Sequence, residues 1–325
     1  MVICIYDNRP DSEIGIRLLL ESLCRHSPDC VIHVYFAPAS SDLTNWITEF
    51  PNIKLIIRDF GPLHWNIKPI VLLEELRICD EIVWLDSDVL VAASTERIFF
   101  DLDPDTIVIA EEALWGRKDA KNKAESWGFA VGRSFDVSLN TCVVRLTRNH
   151  MELLRDWQEL LQSETYLSAQ AIPYQKRPGH LFGDQDVLMA LLSSEKYSHL
   201  PVKILRRGPD ILQAFGLKGF TVRERLIAMR KMPVFVHAQG QKPWIRERPN
   251  TIRDYIEVSY RDASPFVILA NREKLKFEAN TSFGKLLRVI GFGSAPFTGL
   301  PLAILFDIGF EIARLLRKRK LNARY

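Results

Sequence analysis

Two acidic residues, separated by one position, follow a strongly apolar run. Asp86 and Asp88 come directly after residues 82–85, which read Ile-Val-Trp-Leu. Because side chains two positions apart on a strand point the same way, both carboxylates can reach one cation. Hard oxygen ligands suit Mg²⁺ or Mn²⁺, which in turn bind a diphosphate. The pattern indicates a metal site, and the alternative is a solvated pair of acids that ends a strand.

The same Asp-x-Asp spacing recurs at the start of a predicted helix over residues 183–192. Asp184, Gln185 and Asp186 are the polar residues of its first turn. Acids in a first turn are favoured by capping and by the helix dipole. Capping is therefore the ordinary interpretation of this segment, and a chemical role is the alternative.

A third segment follows a predicted strand over residues 232–237. His237 can bind a metal through its imidazole, Gly240 permits close backbone approach, and Lys242 supplies a positive charge for phosphate. A lone histidine after a strand is more often structural. Together, however, the three segments supply a metal site and a cationic group, which the departure of a nucleoside diphosphate requires.

Strand-like and helical patterns alternate along the chain and would position these residues. Apolar runs predict strands over residues 2–6, 31–36, 54–57, 81–85, 106–110, 141–146 and 232–237. Helical periodicity predicts helices over residues 14–23, 69–76, 151–161 and 183–192. The alternation favours an α/β fold in which a mostly parallel sheet is covered by helices on both faces. Such sheets bind ligands at the carboxyl ends of their strands. Residues 162–182 lack a pattern and predict a functional loop.

The charge distribution argues against nucleic-acid binding. The 325 residues carry a net charge of +3, but residues 311–325 alone contain six Lys or Arg and one acid, which leaves −2 for the rest. A near-neutral body offers nucleic acid no basic surface. The five cysteines are odd in number and form no Cys-x-x-Cys pair. Together with a first strand that begins at Val2, they predict a reducing, cytoplasmic location without a leader.

The chain is predicted to divide into a main domain, residues 1–265, and a C-terminal extension, residues 266–325. Beyond Pro301 the extension contains an apolar helical stripe followed by a basic segment. This pattern favours a helix that lies on an anionic membrane surface, on the inner face of the membrane. The alternatives are a helix packed in the core or against a second subunit, and a membrane span.

The three chemical segments resemble those of known enzymes. Residues 83–91, Val-Trp-Leu-Asp-Ser-Asp-Val-Leu-Val, resemble the metal-binding strand of GT-A glycosyltransferases. Residues 183–188, Gly-Asp-Gln-Asp-Val-Leu, and residues 237–244, His-Ala-Gln-Gly-Gln-Lys-Pro-Trp, are similar to segments of family 8. These are retaining transferases that include glycogenin and lipopolysaccharide galactosyltransferases. The resemblance covers about residues 1–250. It implies a GT-A fold and transfer of a hexosyl group from a nucleotide-diphosphate donor, with a UDP-sugar favoured. The implied acceptor is a glycan or lipid-linked hydroxyl of the cell envelope.

The resemblance also implies a role for each matching position. The positions matching the Mn²⁺ or Mg²⁺ ligands are Asp86, Asp88 and His237. Those matching donor-binding positions are Asp7, Asn8, Lys68, Asp186, Gly240 and Lys242. Those matching positions around the donor sugar and the acceptor are Asn140, Asp184 and Gln185. The chain departs from the family at Arg9, where an aromatic residue is common, and in the spacing of five rather than six between His237 and Lys242.

Two other classes of protein remain open. A haloacid-dehalogenase-like phosphatase also carries Asp-x-Asp after an apolar strand, but it requires Thr or Val where this chain has Leu90. That class also leaves residues 237–244 unexplained. The second alternative is a non-catalytic protein that binds a nucleotide sugar, and measurable hydrolysis of a nucleotide sugar would distinguish it. A nucleotidyltransferase is disfavoured because no Gly-rich basic loop follows the first strand.

Overall fold

The computed structural model describes residues 1–61, 64–113, 123–214, 222–245, 248–272 and 278–289, together with residues 304, 305, 308, 309 and 312. The chain forms two compact units. The first contains Met1–Glu13, Pro28–Ser87 and Glu96–Leu205, and the second contains Ile14–Ser27, Asp88–Thr95 and Arg206–Tyr325. The chain therefore passes from the first unit to the second inside the Asp-x-Asp motif. The domain boundary proposed at residue 265 stays a prediction.

The described residues contain the following strands and helices. The strands are β1 Val2–Asp7, β2 Val31–Phe36, β3 Ile53–Ile56, β4 Glu81–Leu85, β5 Val89–Val91, β6 Ile107–Glu111, β7 Leu139–Thr147, β8 Val202–Leu205, β9 Ile211–Gln213 and β10 Phe235–His237. The helices are α1 Glu13–His26, α2 Ser41–Ile47, α3 Lys68–Glu75, α4 Glu96–Phe99, α5 Lys123–Ser126, α6 Met151–Gln162, α7 Glu164–Gln170, α8 Asp184–Ser193, α9 Val222–Arg230, α10 Ile252–Asp262, α11 Pro265–Arg272 and α12 Ser282–Val289. Within the described residues, every strand and helix expected from the sequence is present, to within a few residues at each end. The short strands β5, β8 and β9 were not expected from the sequence.

The first unit is built on a seven-stranded sheet. Its strand order is β3-β2-β1-β4-β7-β6-β8. Four of the pairings are parallel, and β7 is antiparallel to both of its neighbours, β4 and β6. All nine residues of β7 are buried, as expected for a central strand covered on both faces.

The antiparallel insertion of β7 decides which residues meet at the polar edge of the sheet, which is the side on which strands β1 and β4 end. Asp7 ends β1, and Asp86 follows β4 and donates its N–H to the Cys142 carbonyl at 2.9 Å. Because β7 runs in the opposite direction, its first residues, including Asn140, lie at this same edge. Polar groups from three strands therefore converge on it.

Helices α6, α7 and α8 pack in the core of the first unit. Every residue of α8 except Gln185 is buried. The segment expected to be a loop, residues 162–182, instead contains α7, because Ser163 caps that helix through the Tyr166 N–H and Tyr166 is fully buried. A helix of two turns presents too few apolar residues for its period to be recognised.

The second unit contains a three-stranded sheet, in the order β5-β10-β9. Strand β10 is antiparallel to β5 and parallel to β9. The core of the second unit combines Leu90 and Val236 from this sheet with Trp244 and with apolar residues of α10, α11 and α12. The Trp244 ring lies 5.8 Å from the Phe266 ring, centroid to centroid, so the segment after β10 is fixed to the core.

The membrane-surface helix expected beyond Pro301 falls largely outside the described residues. Among the residues that are described, no helix is both long and apolar enough to cross a bilayer.

Candidate active site

Lys68 links two carboxylates at the polar edge of the seven-stranded sheet. Its Nζ lies 3.0 Å from Asp86 Oδ1 and 3.4 Å from Asp184 Oδ2. It also donates to Thr141 Oγ1 at 2.8 Å, and the Thr141 hydroxyl in turn donates to Asp184 Oδ2 at 2.7 Å. The Trp84 indole N–H donates to Asp86 Oδ1 at 2.7 Å. Residues from α3, β4, β7 and α8 thus form one connected network.

Burial shifts the proton equilibria of this network. Burial lowers the pKa of Lys68, but the Asp184 and Asp86 carboxylates outweigh it and hold that pKa above its ordinary value. For Asp184 burial is the largest influence and raises the pKa, although Lys68 and Thr141 oppose it. The Lys68 ammonium therefore reduces, but does not cancel, the upward effect of burial on the pKa of Asp184.

A second network joins three groups at the same edge. Glu112, the first residue after β6, accepts a hydrogen bond from Asn140 Nδ2 at 3.1 Å and another from Gln185 Nε2. Asn140 Oδ1 accepts from the Cys142 N–H at 2.8 Å. Both amide side chains are therefore oriented by fixed partners. The sequence reasoning missed Glu112, although its position after a predicted strand offered the same signal as Asp86.

Asp186 is turned into the interior. Its Oδ1 accepts from Lys123 Nζ at 2.5 Å, and its Oδ2 accepts from the Gly183 N–H at 3.1 Å. The side chains of Lys123 and Asp186 are 3% and 5% exposed. Asp186 caps the start of α8, as the ordinary interpretation of its segment expects, and its assignment to donor binding stays a prediction.

The carboxylate of Asp7 is surrounded by donors from its own unit. Arg9 donates through its N–H at 2.9 Å, Nε at 3.0 Å and Nη2 at 2.7 Å, and Ser87 Oγ donates at 2.5 Å. Burial raises the pKa of Asp7, but the Arg9 contacts outweigh it and lower that pKa. The side chain of Asn8 donates to the Gly61 carbonyl at 3.4 Å.

In the second unit, Asp88 and His237 meet at the ends of β5 and β10. Asp88 precedes β5, His237 ends β10, and His237 Nε2 lies 3.4 Å from Asp88 Oδ2. His237 Nδ1 lies 2.6 Å from Gln213 Oε1. An amide oxygen only accepts, so Nδ1 carries the proton and Nε2 is left as the nitrogen that can bind a metal. Nothing in the sequence pattern had indicated Gln213.

Lys242 reaches back to the same carboxylate. Its Nζ contacts Asp88 Oδ2 and lies 3.2 Å from the Ala238 carbonyl. The turn between Ala238 and Lys242 requires Gly240, whose φ of 85° lies in the left-handed region. Burial raises the pKa of Asp88, but the Lys242 ammonium is the largest of the opposing influences, and the pKa is held well below its ordinary value.

The donor set suits a hard divalent cation. An ionised carboxylate and an imidazole with Nδ1 already engaged supply oxygen and nitrogen ligands of the kind that Mn²⁺ and Mg²⁺ accept. Asp86 stands two positions before Asp88 in the chain. The structure thus brings Asp88, His237 and Lys242 together in one unit and Lys68, Asp86, Asn140, Asp184 and Gln185 onto one sheet edge in the other.

Comparison with known proteins places the fold. No protein-family model and no curated protein sequence matches the chain. Among solved structures, the bifunctional glycosyltransferase WbbM in its apo form is similar, with a TM-score of 0.51 and 16% identity over 85% of this chain and 52% of WbbM. This chain therefore spans about half the length of WbbM. The galactosyltransferase LgtC, in complex with donor and acceptor sugar analogues, has a TM-score of 0.49 and 19% identity over 84% of this chain and 96% of LgtC. GlyE of Streptococcus pneumoniae TIGR4 has a TM-score of 0.48 and 14% identity over 86% of this chain and 65% of GlyE.

The likeness to WbbM, at this low identity, is a likeness of fold. The predicted class, a GT-A type α/β fold with a mostly parallel sheet surrounded by helices, is confirmed.

Proposed function

We propose that this chain is a metal-dependent glycosyltransferase that uses a nucleotide-diphosphate sugar as its donor. The observation that carries the proposal is the meeting of Asp88, His237 and Lys242. These side chains come from segments about 150 residues apart, and they combine metal ligands with a cation on a fold shared with a glycosyltransferase. A solvated pair of acids would require neither a buried histidine nor a lysine beside it.

Asp88, His237 and Asp86 are the proposed ligands of Mn²⁺ or Mg²⁺. Gln213 holds His237 in the tautomer that leaves Nε2 available, since Nδ1 donates to the Gln213 amide oxygen. When bound, the cation neutralises charge on the donor diphosphate and on the departing nucleoside diphosphate.

Lys242 is the proposed second source of positive charge. Its ammonium group contacts a carboxylate that burial makes costly to ionise. An anionic diphosphate would compete with Asp88 for this ammonium group. Positive charge directed at a leaving group stabilises the transition state more than the ground state, because negative charge grows there during bond cleavage.

Asp184, Gln185 and Asn140 are proposed to surround the donor sugar. The acceptor hydroxyl oxygen forms a bond to the anomeric carbon while the bond to the β-phosphate oxygen breaks. The hydroxyl proton passes to the departing phosphate oxygen, and attack on the face that the phosphate leaves retains the anomeric configuration. Asp184 stabilises the positive charge on the sugar, while Glu112 keeps the amide of Gln185 in place.

The decisive experiment is a screen of nucleotide sugars with Mn²⁺ or Mg²⁺, read by the release of nucleoside diphosphate. We expect release from at least one donor, loss of release in excess EDTA, and loss in Asp88→Asn with an unchanged thermal unfolding temperature. Release that survives both treatments would contradict the metal assignment. Binding without release would favour the non-catalytic alternative, and release of inorganic phosphate would favour the phosphatase.

The finer assignments belong to the same proposal. A UDP-sugar is the favoured donor, a cell-envelope glycan or lipid-linked glycan is the favoured acceptor, and the inner face of the membrane is the favoured location. Their support is the motif resemblance and the basic segment of residues 311–325.

A further inference from the structure

Trp65 is a large aromatic side chain that is exposed beside the proposed transfer site. It lies in a short 3-10 helix, His64–Ile67, that runs directly into α3. Trp65 is 44% exposed, whereas the nearby Ile67 and Lys68 are buried. A solitary exposed aromatic residue is common on protein surfaces, so its neighbours decide whether this one has a function.

The indole of Trp65 is held in place at one edge. It interacts with the hydroxyl of Tyr166, and that hydroxyl donates to Asn66 Oδ1 at 2.9 Å. Tyr166 is fully buried. The orientation of the exposed ring is therefore set from within the core, so that little further ordering is needed when a ligand binds.

The 3-10 helix and the start of α3 lie beside the beginning of α8. A β-carbon built on Gly183 would lie 4.0 Å from the indole nitrogen of Trp65. Three residues after Trp65, the ammonium of Lys68 lies 3.4 Å from Asp184 Oδ2. Trp65 is thus beside the residue that precedes Asp184, on the side of α8 where the sugar is proposed to react.

More aromatic surface lies on the chain that leads into Gly183. Phe182 packs against Tyr174, with ring centroids 5.1 Å apart, and Tyr174 is 49% exposed. Arg177 fixes this segment by donating to the Phe182 carbonyl at 3.1 Å. One exposed ring, Trp65, therefore lies close to Gly183, and a second, Tyr174, packs on the residue that precedes Gly183.

We propose that Trp65 is the platform on which a pyranose ring of the acceptor packs, which makes the acceptor of this enzyme a sugar. One face of a pyranose is made of C–H groups and packs on an aromatic ring, while its hydroxyl groups require polar partners at the rim. The first turn of α8 supplies such a partner in the partly exposed amide of Gln185. An alkyl chain would cover the ring but could form no hydrogen bond with this amide. The inference rests on the proposed function, because that function requires an acceptor to bind beside the donor sugar.

The test is saturation-transfer NMR with the methyl pyranosides of glucose, galactose and N-acetylglucosamine, and with octanol as the alkyl probe. We expect saturation of the ring C–H protons of at least one pyranoside bound to the wild type. Trp65→Ala should weaken that binding by about tenfold or more, as the loss of one aromatic packing contact implies, and Trp65→Phe should retain most of it. Phe100→Ala, which removes an 81% exposed aromatic ring elsewhere in the first unit, is the matched control.

Two results would overturn the inference: equal binding of the pyranosides to Trp65→Ala, or binding of octanol but of no pyranoside by the wild type. Hydrolysis of the nucleotide sugar by water needs no acceptor and is measured in parallel. Retained hydrolysis in Trp65→Ala, with unchanged pyranoside binding, would disprove the acceptor platform alone. Absence of hydrolysis and of donor binding in the wild type would disprove the proposed function instead.

Discussion

The Nδ1 atom of His237 lies 2.6 Å from the amide oxygen of Gln213, and the two residues are direct partners on the parallel strands β10 and β9. Gln213 is fully buried and His237 is 4% exposed. The backbone register of the small sheet therefore selects the tautomer of the histidine, and with it the nitrogen that can act as a metal ligand.

This relationship predicts that Gln213→Ala weakens Mn²⁺ binding by about 10- to 100-fold, as expected for the loss of a group that orients a ligand. Isothermal titration with Mn²⁺ alone measures the effect without any donor. Gln162→Ala, at an exposed glutamine in the other unit, should bind Mn²⁺ as the wild type does. Wild-type affinity in Gln213→Ala would show that the histidine needs no such partner.

Lys242→Ala should lower kcat by about 10²- to 10³-fold, because its charge is proposed to act on the leaving diphosphate. Lysine 231, an exposed lysine of the second unit, supplies the control Lys231→Ala. Steady-state and single-turnover kinetics with a donor found in the screen distinguish the chemical step from binding. An effect confined to the acceptor KM would show that Lys242 does not act on the leaving diphosphate.

Lys123→Met should reduce the free energy of unfolding by roughly 3–5 kcal/mol, because it leaves the buried Asp186 carboxylate without its cation. Lys123→Met/Asp186→Leu should recover most of this loss, except for about 1 kcal/mol from the missing cap on Gly183. Lys196→Met, at a half-exposed ion pair, should change stability by less than about 1 kcal/mol. Urea unfolding measures all three, and a double variant no more stable than Lys123→Met would refute the ion-pair explanation.

Glu75 is expected to make stability fall in acid. It accepts from Tyr35 Oη at 2.5 Å and from His33 Nδ1 at 2.9 Å. Burial raises the pKa of Glu75, but the hydrogen bonds from His33 and Tyr35 outweigh it and lower that pKa below its ordinary value of 4.5.

Below pH 4.5 the unfolded chain therefore takes up the Glu75 proton before the folded chain does. The stability that Glu75 contributes is complete above that pH and is lost as the pH falls through the lower, folded-state pKa. Glu75→Gln should be less stable at neutral pH and lose less stability in acid, and Glu49→Gln, at an exposed glutamate, should follow the wild type. Denaturant unfolding between pH 3 and 7 checks this, and parallel curves for Glu75→Gln and the wild type would contradict it.

A chain ending at Pro301 should bind anionic vesicles less well, because it lacks the apolar stripe and the basic segment. Each basic residue near an anionic surface contributes about 1 kcal/mol. The shortened chain should still release nucleoside diphosphate, and binding of the full chain should decrease at high salt. Vesicle binding that survives the truncation would exclude this anchor, and loss of folding would favour a helix packed in the core.

The sequence by itself determined the features that are local. Apolar runs and helical periods predicted the strands and helices, and an apolar run ending in Asp86 and Asp88 predicted a polar site, because each depends on neighbouring residues only. Asp184 and Asp186 lie in the first turn of α8, where acidic residues were correctly expected.

Only the tertiary structure decided which distant residues meet. The antiparallel insertion of β7 brings Thr141 to Lys68, and the pairing of β9 with β10 brings Gln213 to His237. Lys123 reaches Asp186 across 63 positions of the chain. Strand order and register are set by how the whole apolar core is buried. The hydrophobic period of a strand (two residues) or of a helix (3.6 residues) is the same whatever the strand order, so it carries no information about that order. For that reason local patterns indicated candidate ligands, such as Asp88 and His237, but not the residues that contact them.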